Sequence, residues 1–329
     1  MTLSQFEERS TTEFHRTPGP SPAHTEVFSE LPQGAGIGHA IAHHGEIYQG
    51  ALHRDGEVVE CLITMPSPHF NSWAMFIPTE TDEVVSKTAS KDKARQAAED
   101  ALSFLHEKYD DIECPGGELY IESNNRIGFG NGSSTTDSSA SVKAVGNALG
   151  HKIGDEDIAS IVVNAEGASD STMLDHRHIP LFAQHEGEVL ENFAGTFPDM
   201  LVVAGYADSE PVETDGIDRE FSPSLLNEHK SLRSKLRQGI NKQRPELVGE
   251  VAQRSLLLSQ QFCPTPNYQR LRDIGDHYDV LGLGGSHSGT AIYYLLHVDR
   301  VHTANRLMES LEEEGFGPTY QFTTLDAVV

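Results

Sequence analysis

Residues 128–137 read Gly128-Phe129-Gly130-Asn131-Gly132-Ser133-Ser134-Thr135-Thr136-Asp137, and this run decides how the rest of the chain is read. Three glycines at alternate positions let a backbone come close to a ligand and adopt positive φ. An alternating segment, GELYIES (117–123), enters the turn as a strand, and a helix is expected to leave it and to end at Gly150. The first N–H groups of such a helix have no partner within it and lie at the positive end of its dipole. Turn and helix start together make an anion site suited to phosphate. The candidate phosphate ligands are therefore the groups of Gly128, Gly130, Asn131, Gly132, Ser133, Ser134 and Thr135, with the hydroxyls also open to a divalent cation. No Gly-Lys-Ser/Thr follows, so the run is not a P-loop. The same residues admit a conformational reading compatible with the first, in which Ser134 is the N-cap and Asp137 closes a capping box.

Working outward, residues 1–33 are rich in Ser, Thr, Pro and Glu and read as a loose N-terminal extension. GAGIGHAIAHHGEIYQGAL (34–52) begins glycine-rich and turns β-like, and EVVECLITMP (57–66) and NSWAMFIP (71–78) read as two strands. In KDKARQAAEDALSFLHEKY (91–109), Ala94, Ala98, Ala101, Leu102 and Leu105 share one helical face. DEDIASIVVNAEG (155–167) reads as a helix, and PDMLVVAGYA (198–207) as a buried strand that opens a second domain. Helices are expected at about 223–242, 244–260 and 298–315, with a closing strand in PTYQFTTL. Strands and helices mix without strict βαβ alternation, which predicts an α+β fold, divided into 34–197 and 198–329.

Three more segments carry candidate chemistry. His43-His44-Gly45-Glu46 opens a strand and is able to line a polar pocket, with one of the two histidines expected buried and the other exposed. Gly282-Leu-Gly284-Gly285-Ser286-His287-Ser288-Gly289-Thr290 carries four glycines, as a backbone passing close to a ligand or another segment would. In Glu166-Gly-Ala-Ser169-Asp170-Ser171-Thr172-Met173, an acid among small residues suits a crowded site, where it orients or deprotonates a substrate hydroxyl or holds Mg²⁺; alone, a surface turn is the plainer reading. Asp175-His176-Arg177-His178 with His185 sketches a zinc or iron set and hence a metal hydrolase, although no carboxylate–histidine pair at helical spacing supports it and seventeen histidines make coincidences common.

The bulk numbers narrow the partners. With 24 Lys and Arg against 50 Asp and Glu, the formal charge is -26, which repels nucleic acid and anionic membrane surfaces. It leaves a nucleotide open, because backbone N–H groups and a cation can hold phosphates. No apolar run reaches the ~18–20 residues of a membrane span. The opening MTLSQFEERSTTEFHR lacks an apolar core, and Cys61, Cys114 and Cys263 form no paired motif, so the expectation is a cytoplasmic protein without a disulfide scaffold.

In this order the four segments resemble motifs of the GHMP kinase superfamily, most closely those of the L-threonine kinases of cobalamin synthesis and propanediol utilisation. GEIYQG (45–50) looks like the Gly-Glu-Leu-x-Gln-Gly first motif, GFGNGSSTTD like Gly-x-Gly-x-x-Ser-Ser-Thr-x-Asp, and SHSGTAIYYLL (286–296) like the third motif; EGASDSTML (166–174) falls where the family has Glu-x-x-Asp. The resemblance covers about residues 34–329. It implies an N-terminal α+β domain with a left-handed βαβ element, a ferredoxin-like C-terminal domain, and ATP, Mg²⁺ and a small amino acid between them. It further implies triphosphate on the backbone of 128–135, Mg²⁺ near Ser134 and Glu166, and Asp170 at the acceptor hydroxyl. His44, Glu46 and Asp137, with Ser286, His287 and Gly289 of the closing loop, are then substrate contacts. A catalytically silent nucleotide- or metabolite-binding protein on the same fold is the other reading, and a homodimer stays open. Phe129 and Asn131 stand where those kinases often have Lys and Met, and His44 stands where they have Cys.

Overall fold

A computed structural model describes residues 31–174, 178–211 and 219–326. Most of the N-terminal extension, with Asp175 and His176, therefore lies outside the described residues.

Two long strands organise the N-terminal half. β1 (Gly36–Arg54) and β2 (Glu57–Thr79) form an antiparallel hairpin. Its turn is Asp55-Gly56, both at positive φ, as a two-residue hairpin turn with native twist demands. The two strands expected at 57–66 and 71–78 are one. Pro66 and Pro68 interrupt the apolar pattern but not the extended backbone, because their fixed φ suits a strand. The ladder skips there instead, from Ala42↔Ser67 to Ile41↔Asn71, which is a bulge.

β3 (Val84–Ser86), α1 (Asp92–Lys108) and β4 (Gly116–Ser123) form a βαβ crossover in which β3 and β4 are parallel and β4 also pairs with β2. The expected face of α1 is buried, with Ala97 added to it. α2 (Ser133–Ala148) and α3 (Asp155–Glu166) pack with α1 on this half, and β5 (Ile179–Ala183) and β6 (Glu188–Phe193) add a hairpin beside β2.

The second half runs β7 (Met200–Tyr206), α4 (Pro223–Asn241), α5 (Pro245–Ser259), α6 (Tyr268–Tyr278), β8 (Gly282–Gly285), β9 (Ala291–His297), α7 (Val301–Glu313) and β10 (Tyr320–Thr323). Its strands lie in the order β10-β7-β9-β8, all antiparallel, which is the ferredoxin-like order. The two halves form one sheet, β10-β7-β9-β8-β1-β2-β4-β3, joined across β8 and β1 by the single pair Glu46↔Gly285. Packing closes the seam that pairing leaves narrow: one apolar cluster holds Ile47, Ile63 and Met65 of β1 and β2 with Val202, Tyr206, Val251 and Tyr293 of the second half. The mixed α+β architecture is the expected one. The sequence reading missed β3, the β5–β6 hairpin and α6, although Tyr268, Leu271, Ile274 and Tyr278 of α6 recur at helical spacing and pack on the second half's core. No helix among the described residues is long and apolar enough to cross a membrane.

Candidate active site

The glycine turn and α2 meet as the sequence suggests, with one difference. The N-cap is Gly132, in the left-handed conformation at φ 66°, and no side chain caps the helix. Ser134 and Asp137 make no capping box because the helix starts earlier, at Ser133. The first helical bond runs from Thr136 N–H to the Gly132 carbonyl, 2.9 Å. The N–H groups before it have no acceptor within the helix, the arrangement that binds anions. Gly128, Gly130, Gly132, Ser133 and Ser134 all stay partly exposed.

The second glycine segment docks onto this turn. Thr290 and Ala291 both donate backbone N–H bonds to the Phe129 carbonyl, at 3.0 and 2.8 Å. A Cβ on Gly289 would lie 2.6 Å from the Gly130 nitrogen, and one on Gly130 would overlap Ser286, so only glycines permit the contact. The Asn131 side chain faces inward, donating to the His43 carbonyl (3.3 Å) and accepting from the Tyr206 hydroxyl (3.0 Å); only its backbone is left for phosphate.

Glu166 closes α3 beside the start of α2. It accepts hydroxyl hydrogen bonds from Ser134 (2.8 Å), Thr135 (3.0 Å) and Ser138 (2.6 Å). Burial pushes its carboxyl up to about 7, with these three hydroxyls pulling the other way. One carboxylate and one serine hydroxyl at an uncapped helix start fit the donor set of Mg²⁺, a hard cation that needs few protein oxygens.

Asp170 is no surface turn: it is 6% exposed, and its Oδ2 lies 3.1 Å from His43 Nε2. Burial alone would pull His43 down, but the Asp170 charge, its hydrogen bond and Glu46 outweigh it and push His43 up to about 9. Burial likewise works against the Asp170 carboxylate, yet His43 and the Thr172 N–H (2.9 Å) hold it below its ordinary 3.8. Glu46 completes the group, 3.7 Å from His43; burial pushes it up to about 7, and its buried Oε2 has no hydrogen-bond partner among the described residues.

The sign of the His43–Asp170 pair on stability follows. His43 is raised above its unfolded value of 6.5, so its contribution is full below that pH and is lost as pH rises through about 9. Asp170 is depressed, so its contribution is present above about pH 4 and is lost as pH falls through its folded value. We expect His43→Gln to remove a few kcal/mol of stability at pH 6.5 and much less at pH 10. Urea unfolding at the two pH values checks this; an equal loss at both would show that His43 is uncharged in the native state.

Two expected substrate contacts are corrected. Both adjacent histidines are buried, rather than one buried and one exposed, and it is His43 and not His44 that faces Asp170. Gly45, at φ 83°, breaks the strand alternation, and the ladder slips between His43 and Glu46. His43 therefore turns to Asp170, while His44, fully buried, sets Nε2 between the Gly205 (3.0 Å) and Ile292 (2.9 Å) carbonyls and Nδ1 against Tyr320 and Asn131. Burial pulls His44 down to about 3, so it is a neutral internal lock without access to substrate. Asp137 is also committed, to Ser72 Oγ through Oδ1 (2.5 Å) and to Lys91 Nζ through Oδ2 (2.5 Å), and has no room for a substrate ammonium. Lys91 and His43 are the partners that sequence reasoning missed, and spacing along the chain gives no signal for either. Of the alternative metal set, His178 and His185 are described, and His185 Nδ1 faces the Gly167 carbonyl at 3.1 Å. Among the described residues no three His, Cys, Asp or Glu are grouped to hold a metal.

The chain is similar to known proteins in part of its sequence and in its fold. Residues 94–176, which contain the turn, α2, Glu166 and Asp170, match the GHMP kinases N terminal domain. An L-threonine kinase of Salmonella typhimurium is 26% identical over 200 residues, 59% of this chain and 64% of that protein, so the chain spans less than two thirds of this curated relative's length. A homoserine kinase from Cytophaga hutchinsonii superposes with a TM-score of 0.64 at 14% identity, covering 89% of this chain and 95% of its own. A mevalonate kinase from Staphylococcus aureus gives 0.60 at 15% identity, covering 88% and 98%. Residues 94–176 thus carry a match to the GHMP kinases N terminal domain, and the chain as a whole shares its fold with these homoserine and mevalonate kinases.

Proposed function

We propose that this chain is an ATP-dependent kinase that phosphorylates the side-chain hydroxyl of a small amino acid, L-threonine or a close analogue such as L-serine. The observation that carries the reading is the uncapped start of α2 at a glycine turn, with Glu166 on its Ser134 hydroxyl and the buried Asp170 carboxylate behind Gly132. The curated L-threonine kinase relative supports the choice of acceptor.

In this mechanism the backbone N–H groups of 128–135 hold the ATP phosphates. Ser134 and Glu166 would hold Mg²⁺, which would supply neutralisation of the phosphate charge. The acceptor oxygen forms a bond to the γ-phosphorus as the bond to ADP breaks, and the hydroxyl proton passes towards Asp170 Oδ2. The low basicity of Asp170 suits a loose transition state, in which the proton leaves late and the carboxylate chiefly orients the hydroxyl. Glu46 offers its unpartnered Oε2 to the substrate ammonium.

The test is ADP release from MgATP with L-threonine, L-serine, L-homoserine, their D forms, galactose and mevalonate. We expect release that depends on L-threonine or L-serine and stops when Mg²⁺ is chelated. Release with only galactose or mevalonate would reassign the acceptor. ATP binding without release for any acceptor would favour the silent binding protein.

A further inference from the structure

Beside Glu46 lies a small cavity that this mechanism does not use. Gln49, Glu60, Arg219, Phe221, His229 and Phe262 line it, with His287 at its edge. It brings together β1, β2, the segment before α4 and the end of α5, residues far apart in sequence. Two of its polar groups are buried without hydrogen-bond partners among the described residues: Gln49 Nε2, on a residue 4% exposed, and His229 Nδ1, on one 2% exposed. Orphaned buried polar groups cost free energy unless something satisfies them.

The charged groups are equally specific. The Arg219 side chain is 7% exposed and donates from Nη1 to Glu60 Oε2 at 2.8 Å. Its guanidinium also meets His287, and Glu60 lies 3.9 Å from His287 Nε2. Burial and the neighbouring Arg219 charge keep His287 neutral, well below its ordinary value. The backbone of His287, at the cavity's edge, in turn hydrogen-bonds the Glu46 carboxylate, which lies 3.7 Å from His43, so the cavity adjoins the His43–Asp170 centre. Phe221 and Phe262, with ring centroids 5.2 Å apart, form its apolar wall.

A guanidinium and an orphaned amide N–H beside two carboxylates, Glu60 and Glu46, complement a ligand carrying both charges. We infer that this cavity is the subsite that reads the backbone end of a zwitterionic amino acid: Arg219 and Gln49 take its carboxylate, and Glu60 and Glu46 face its ammonium. The inference rests on the phosphoryl-transfer reading of the adjoining centre, because it places the acceptor's hydroxyl toward Asp170. Arg219 is a specificity residue on this view, and its pairing with Glu60 pre-orients it for a second carboxylate.

Calorimetric binding to the full chain, with a non-hydrolysable ATP analogue and Mg²⁺ present, separates the two readings because it needs no turnover. The probes are L-threonine and L-threoninamide, which lacks the carboxylate charge. Wild type is expected to bind L-threonine at least about tenfold more tightly, the share of one charge-assisted hydrogen bond. Arg219→Gln and, separately, Gln49→Leu are expected to close that gap by weakening L-threonine and leaving L-threoninamide unchanged. Equal affinities in wild type, a gap that survives both substitutions, or absence of L-threonine binding overturns the subsite. L-Threonine binding with the expected gap, but without ADP release, keeps the subsite and removes the kinase. ADP release with only a non-amino-acid acceptor does the reverse.

Discussion

Asp170→Asn should lower acceptor-dependent ADP release by about 10²–10⁴-fold, the usual share of a positioned acid or base. The reason is local. Asp170 is held ionised by His43 at 3.1 Å and lies against Gly132, the residue from which the phosphate-binding helix starts. Asparagine keeps the shape but loses the charge that orients a hydroxyl and receives its proton. It also leaves His43 without its counter-charge, and a broken buried pair costs about 3–5 kcal/mol of stability. Turnover must therefore be read beside a thermal melt. A folded Asp170→Asn variant with near-normal turnover would take Asp170 out of the chemistry. Glu46, pushed by burial to about 7, would then be the carboxyl best matched to accept a proton at neutral pH.

The second large effect is expected at Gly132. A methyl group there would overlap Asp170 Oδ2 and the His43 ring, and the φ of 66° strains any L side chain. Gly132→Ala should therefore displace the pair and the helix start together, abolishing measurable turnover. Gly150, at the far end of the same helix, supplies the control. Its φ is 73°, yet a Cβ there would meet nothing within 4 Å. Gly150→Ala should carry only the backbone cost, about 1–2 kcal/mol, and keep full activity. If the two variants lose stability equally and both stay active, the steric argument at Gly132 is wrong.

What could be read in the sequence was what lies close together in it. The glycine turn and the helix that leaves it are local patterns whose physics needs few distant residues, whereas Glu166 and Asp170 were singled out through the resemblance, their own segment alone reading as a surface turn. The buried face of α1 was equally plain, because its alanines and leucines repeat with the helix. Partners brought from afar were not legible. Nothing between residues 43 and 170 says that their side chains meet, and Lys91 and Asp137 are no better marked. Adjacent His43 and His44 failed for a different reason. Choosing between them assumes strict alternation, and one left-handed glycine with a slipped ladder turns both inward, to different neighbours. Asp137 misled through its motif: the acid closing GFGNGSSTTD fits a ligand-facing role by pattern, but Lys91 occupies it.

The Phe129 carbonyl, gripped by two amides from the opposite half of the sheet, also fixes the direction of the peptide that follows it. That peptide carries the Gly130 nitrogen, one of the groups offered to phosphate. The proposed anion site is thus set in its geometry by bonds within the chain, with no need of a ligand. A site prepared in this way spends little of its affinity on ordering itself. The same two bonds make the second half of the chain a structural element of the phosphate site, although none of the residues offered there for phosphate comes from it.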